Sequence, residues 1–150
     1  MKKNLLITVA SDNIIARAEK LTLNNTPLWG KMNVTEMLLH CNLCNKQILE
    51  ESRGGEKTST KQYLLRILAL YIAPNFKKGI ASEKRNITKG IIDDSQFEKQ
   101  KNEFISIISK FPHNIRPLTL THPAFGNIST KEWGIAAYKH MDHHLRQFGV

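Results

Sequence analysis

The sequence predicts an all-α fold: a four-helix bundle with a short additional helix, as one domain over residues 1–150. Two observations carry this. Four places pair a small polar residue with Glu or Gln three positions later, ahead of an apolar-periodic run: Asn33…Glu36, Ser59…Gln62, Ser95…Glu98 and Ser129…Glu132. That is the capping-box signature, in which the first side chain satisfies an orphan N–H and the second reaches back. A fifth start falls at Ser11 or Asp12, ahead of IIARAEKL. No run alternates apolar and polar residues over the length of a strand. Four longer helices joined by loops are best accommodated by a bundle.

The elements follow in order. The first helix is expected from about Asp12 to Leu21, with Ile14, Ile15, Ala18 and Leu21 inward, and Asn24-Asn25-Thr26-Pro27 ends it. Trp29 then covers one end of the bundle, and Gly30 permits a turn that other residues resist. A second helix spans roughly Val34 to Glu51 and stops before a Gly54-Gly55 loop. Tyr63 to Ile72 forms a short, very apolar helix closed by Pro74. Asn75 to Lys89 is basic and irregular, and reads as a solvated, mobile loop, with an anion or nucleic-acid patch over Lys77–Lys89 as the alternative. A long helix runs from about Gln96 to Phe111, with Phe97, Phe104, Ile107, Ile108 and Phe111 inward. Pro112, Pro117 and Pro123 keep the next segment extended until the last helix begins after Ser129, with Trp133 on its apolar stripe.

Composition narrows the class. A chain that is 41% hydrophobic and 23% charged reads as a globular protein with a real core. Twenty-two basic against thirteen acidic residues give a net charge of +9, which favours anionic partners. The aromatic residues are not interleaved with Lys and Arg as a stacking platform requires, so nucleic acid is a disfavoured partner. No stretch approaches eighteen uninterrupted apolar residues, which excludes a membrane-spanning helix. The opening MKKNLLITVAS has too short an apolar run for a signal peptide and reads as mature sequence in a cytoplasmic protein.

The chemistry lies in the last helix. His140 and His144 are spaced i, i+4, which stacks them on one helical face with Ala137, Trp133 and Phe148. One helical turn brings two imidazoles to one ion, and imidazole suits Zn²⁺, Ni²⁺ or Fe²⁺. A third donor is required, and His40, after Met37-Leu38-Leu39, is the best placed. His143 is rotated about 100° from His144 and faces the rim. Cys41 and Cys44 sit mid-helix, away from the dipole that makes CxxC pairs reactive, and read as small buried hydrophobes. Cys44 nonetheless shares a face with His40, which leaves a fourth-ligand role open. His122-Pro123 reads as a turn-shaping pair, with a pocket-edge proton donor as the alternative; His113 lies in the same Pro-rich connector. Arg146 and Gln147 either bind an acidic substrate or cap the helix end.

PLWGKMNVTEMLLHCN, HPAFGN and KHMDHHLRQF resemble motifs of the DinB-like superfamily, sometimes grouped with YfiT-type metal-dependent proteins. The resemblance runs from Ile14 to Val150 and is weakest between Gly54 and Ser95. It implies a four-helix bundle and a metal triad of His40, His140 and His144, the set that spacing also selects. Relatives in that superfamily include thiol-dependent S-transferases and a mycothiol-dependent isomerase. The expectation is therefore transfer of a small thiol to an electrophile at a three-histidine divalent metal site. A metal-dependent hydrolase of a small ester or amide, or a non-catalytic binding or assembly bundle, are the alternatives. The expected partner is a small-molecule substrate such as a low-molecular-weight thiol, and the reading leaves room for a homodimer.

Overall fold

Three of the four capping boxes form as written, and each starts a helix. Asn33 and Glu36 each accept the other's backbone N–H at 2.8 Å and open the second helix; Ser59 with Gln62 and Ser129 with Glu132 do the same for theirs, at 2.9 and 3.2 Å in each pair. The structure, a computed structural model, describes residues 2–52 and 56–150. Among them are five α-helices: α1 (Thr8–Ala18), α2 (Val34–Glu50), α3 (Thr60–Ile67), α4 (Phe97–Lys110) and α5 (Thr130–Gln147). The expected Gly54-Gly55 loop lies outside the described residues.

The other two starts are corrected. Asp93 accepts the Ser95 N–H at 2.8 Å and opens a 3₁₀ turn over Asp94–Gln96, so Ser95 is consumed before it can cap and α4 begins at Phe97. The first helix begins at Thr8, ahead of Ser11, with no side-chain cap. Ser11 is buried instead, and its hydroxyl donates to the Ile108 carbonyl at 3.1 Å. A polar residue that looked like a helix start is a cross-link between α1 and α4.

α4 and α5 each pack against both α1 and α2. The interior between them is filled by side chains such as Ile14, Met37, Phe104, Ile108, Met141 and Leu145, and Trp133 is buried as expected. The N-terminal segment docks on α5: Leu5 is fully buried and its N–H donates to the Gly134 carbonyl at 3.0 Å. Gly134 allows this approach, because a Cβ there would collide with the Asn4 carboxamide. Gly30 has φ +84°, the left-handed turn expected of it.

The purely α expectation is also corrected. β1 (Thr121–His122) and β2 (Gly126–Asn127) form a small antiparallel pair inside the Pro-rich connector. His122 Nδ1 accepts the N–H groups of Ala124 and Phe125 at 3.1 and 3.2 Å, which closes the turn. Two-residue strands carry no alternation that a sequence could display.

α3 continues as a π-helical turn over Leu68–Ile72 and stops before Pro74. Lys139 donates to the Ala69 and Ala73 carbonyls at its end, and Tyr71 donates to Glu132 at 3.1 Å. The basic segment that follows is not a free loop. Its Lys side chains are exposed, but Asn86 and Thr88 are buried, and Thr88 donates to the Glu36 carbonyl at 2.7 Å. The chain is thus pinned across the start of α2. Among the described residues no helix is long and apolar enough to cross a membrane.

Candidate metal centre

The packing of α2 on α5 brings His40 against the His140/His144 pair. His140 Nε2 lies 3.1 Å from His40 Nε2 and 3.0 Å from His144 Nε2. Cys44, one turn beyond His40, holds its Sγ 3.9 Å from His40 Nε2. The donor atoms of His40, Cys44 and His140 all fall within 4.8 Å of one another. His40 and His144 are buried, while His140 and Cys44 keep some exposure.

The outer ring nitrogens decide what the inner ones carry. His40 Nδ1 is 2.8 Å from the Asn86 carbonyl oxygen, which can only accept, so the ring's proton is on Nδ1. His144 Nδ1 is 2.8 Å from Gln147 Oε1. The orientation of that amide is set by its other end, where Gln147 Nε2 donates to the Trp29 carbonyl at 2.6 Å. His144 therefore also carries its proton on Nδ1. In the neutral rings, both Nε2 atoms present lone pairs to the same nitrogen of His140.

That nitrogen has one in-plane valence, either an N–H or a lone pair. It can make one well-directed hydrogen bond, yet two lone pairs face it at bonding distance. A single cation among the three nitrogens satisfies all of them. Four-coordinate geometry with metal–nitrogen bonds of about 2.0–2.1 Å separates ligand nitrogens by roughly 3.3 Å, within a few tenths of an ångström of the two separations that His140 makes with His40 and His144. An outer-nitrogen bond to a carbonyl is also the usual support for a ligating histidine. The donor set fits a divalent ion.

Electrostatics keep these rings neutral. Burial pushes His40 down, only partly offset by the Asn86 carbonyl. Burial lowers His144 to about 3, with His40 adding to the shift. Burial, followed by the neighbouring His144 and His40, holds His140 well below the ordinary histidine range. Neutral imidazole is the form that ligates. Burial, reinforced by the charge of Glu83, pushes the Cys44 thiol up to about 12. Without a cation Cys44 is a thiol; beside one it ionises.

The remaining candidates fall outside the cluster. His143 packs edge-on against Trp29, ring centroids 5.5 Å apart, and is half-buried at the rim. His122 is spent on its turn and stacks on Phe125 at 4.0 Å, and burial lowers it to about 4. Its place in the structure is that of the turn-shaping residue. His113 sits exposed in the 3₁₀ turn after α4. Arg146 is bonded to Asp142 at 2.9 Å, and Arg17 holds the same carboxylate at 2.7 Å. Cys41 is fully buried beside Met37, as read, but Cys44 faces the histidines and is not merely a core hydrophobe. Sequence reasoning missed the roles of Asn86 and Gln147. Gln147 stands at i+3 from His144, so helical spacing could have paired them; nothing local links Asn86 to His40.

A mostly helical protein with a small two-stranded sheet and a histidine–cysteine cluster compatible with metal binding is the class that fold and site define. The chain belongs to the family described as protein of unknown function (DUF1569), which matches residues 1–149. No curated protein and no solved structure matches it.

Proposed function

We propose that this chain is a single DinB-like four-helix-bundle domain whose His40, His140 and His144 hold one divalent ion, and that its reaction is transfer of a small thiol to an electrophile. The observation that carries the metal reading is the double approach to His140 Nε2 by two nitrogens whose protons are committed elsewhere. Zn²⁺, Ni²⁺ and Fe²⁺ suit an imidazole set. Such an ion supplies Lewis acidity, which lets a thiol ionise at neutral pH.

The protein's own part is positioning. The Asn86 carbonyl and the Gln147 amide hold two rings in the ligating tautomer. Carboxylates that could serve hydrolysis as a general base are committed. Asp142 is held by Arg17 and Arg146, Glu36 by Asn33 and Gly90, and Glu132 by Ser129 and Tyr71, while Glu83, whose charge reaches Cys44, faces Arg85 at 3.6 Å. Hydrolysis needs a group to take a proton from water. Thiol transfer needs less, because ionisation of the thiol already provides the nucleophile. That difference favours the transferase reading over the hydrolase.

Isothermal titration of Zn²⁺ into metal-stripped protein tests the site. Wild type and His143→Ala are expected to bind, whereas His40→Ala, His140→Ala and His144→Ala lose affinity strongly. The zinc-loaded protein is then given a small thiol and a chromogenic electrophile. Turnover that His140→Ala abolishes supports the activity. Absence of binding removes the whole reading; binding without turnover leaves a metal-holding bundle without this activity.

A further inference from the structure

We propose that Cys44 is a fourth protein ligand, so that His40, Cys44, His140 and His144 close around one borderline or soft divalent ion. This rests on the metal reading above and deepens it.

The first argument is placement. His40 and Cys44 are one turn apart on α2, as His140 and His144 are on α5. Two facing helices thus each present an i, i+4 pair of donors. A tetrahedral ion with a metal–sulfur bond of about 2.3 Å and a metal–nitrogen bond of about 2.0–2.1 Å sets S and N roughly 3.5 Å apart. Cys44 Sγ stands 3.9 Å from His40 Nε2, a few tenths of an ångström from that value, and it forms with His40 and His140 a group of donors within 4.8 Å of one another, which His144 joins through His140 at 3.0 Å.

The second argument is what else each group could be doing. Two buried imidazoles, His40 and His144, aim lone pairs into this space, and the single His140 nitrogen between them can donate to only one of the two. Cys41 is directed elsewhere, its Sγ 3.6 Å from Met37 Sδ, so the two cysteines are divided between core and cluster.

The third argument is charge. Three imidazoles leave a divalent ion with its full charge in a largely buried position. One thiolate halves it; the carboxylates Glu36, Glu132 and Asp142 are engaged elsewhere, and Glu83, paired with Arg85 at 3.6 Å, is not among the donors gathered with His40 and His140. On binding, the Cys44 S–H bond breaks, its proton leaves to solvent, and the sulfur lone pair forms the bond to the ion; no electrons change hands. A thiolate in the set favours Zn²⁺ or Co²⁺ and disfavours Mg²⁺ and Ca²⁺. Four protein ligands also close the resting site, so an incoming thiol either adds as a fifth donor or takes the place of Cys44.

Cobalt separates this inference from the reading beneath it. Co²⁺ is titrated into the metal-stripped full chain and followed in the visible, where ligand-field bands report binding, and in the near ultraviolet, where sulfur-to-cobalt charge transfer reports a thiolate ligand. Wild type and Cys41→Ser are expected to develop both sets of bands, and Cys44→Ser to lose the near-ultraviolet one. Visible bands without charge transfer in wild type overturn the Cys44 ligand and spare the metal site. No bands at all overturn the metal reading itself. Should Cys44→Ser not fold, alkylation of wild type decides. Zn²⁺ is expected to protect Cys44, as read by peptide mass; equal labelling of Cys44 with and without Zn²⁺ refutes its ligation.

Discussion

Gln147 fixes the tautomer of His144. Its Oε1 accepts the imidazole Nδ1–H at 2.8 Å while its Nε2 is anchored on the Trp29 carbonyl at 2.6 Å. The amide cannot flip without setting donor against donor and acceptor against acceptor. Gly30 makes room for it, since a Cβ at that position would stand 2.6 Å from Gln147 Nε2.

Gln147→Leu keeps the bulk and removes both bonds. Metal affinity is expected to fall about tenfold to a hundredfold, the usual effect of losing an outer partner of a ligating histidine. Competition titration against a chelator measures this, with circular dichroism to show that helix content is retained. Wild-type affinity in Gln147→Leu means that His144 holds its tautomer without the amide.

Acidification is expected to destabilise the metal-free protein. Burial lowers His122 to about 4 and His144 to about 3, and lowers His40 and His140 as well. Below the unfolded value near 6.5, the unfolded chain takes up protons that the folded chain refuses. The stability these rings contribute is complete above that value and is lost progressively as pH falls towards 4 and 3. Asp142, whose burial is outweighed by the bonds from Arg17 and Arg146, acts in the same direction at the acid end. Urea midpoints from pH 7.5 to pH 4 follow the effect. His122→Asn, which keeps an acceptor for the turn and cannot titrate, is expected to flatten the slope. An unchanged slope in that variant excludes His122 as a contributor.

The residues that explain these predictions differ in how visible they are in the chain. His140 and His144 are legible because a helix has a fixed period, and the three capping boxes are legible because both partners lie within one turn. Ser11 and Ser95 show the limit of that reasoning. A short polar side chain can serve a neighbouring helix or lose its partner to Asp93, and only packing decides. Asn86 shows a stronger limit, since its carbonyl acts on His40 across a distance in sequence that no periodicity spans. Cys44 lies on the face that its spacing from His40 predicts, but spacing alone cannot separate that place from the core role a mid-helix cysteine ordinarily has.

Gly134→Ala offers a test of the N-terminal docking. In an exposed helix interior the change would favour the helix by about 1 kcal/mol. Here the added methyl meets Asn4 and Leu6 and displaces the segment whose Leu5 N–H binds the Gly134 carbonyl. Overpacking of this kind typically costs about 1–3 kcal/mol. Chemical denaturation should therefore show a loss of stability, reduced when Asn4→Ala is combined with it. A stabilised Gly134→Ala would mean that the N-terminal segment does not occupy this groove.

The Asn86 carbonyl can support His40 only if its own position is held, and Gln47 is what holds it. Gln47 Nε2 donates to Asn86 Oδ1 at 2.7 Å, and Asn86 Nδ2 donates back to Gln47 Oε1 at 3.2 Å. The pair joins α2, which carries His40, to the 3₁₀ turn Lys84–Asn86, which carries the carbonyl. The same turn has a second tether, the ion pair of Arg85 with Glu51 at 2.8 Å, but both partners are exposed and such pairs contribute about 0–1 kcal/mol. Gln47→Ala is expected to weaken metal binding by about tenfold, the lower end of the range for losing support to a ligand. Arg85→Ala is expected to change it little. Neither residue belongs to the donor cluster, so the comparison isolates support from ligation. The measurement is chelator competition on both variants, beside a urea midpoint to report stability separately. Weakening in Arg85→Ala with wild-type affinity in Gln47→Ala would assign the turn's position to the surface ion pair and not to the paired amides of Gln47 and Asn86.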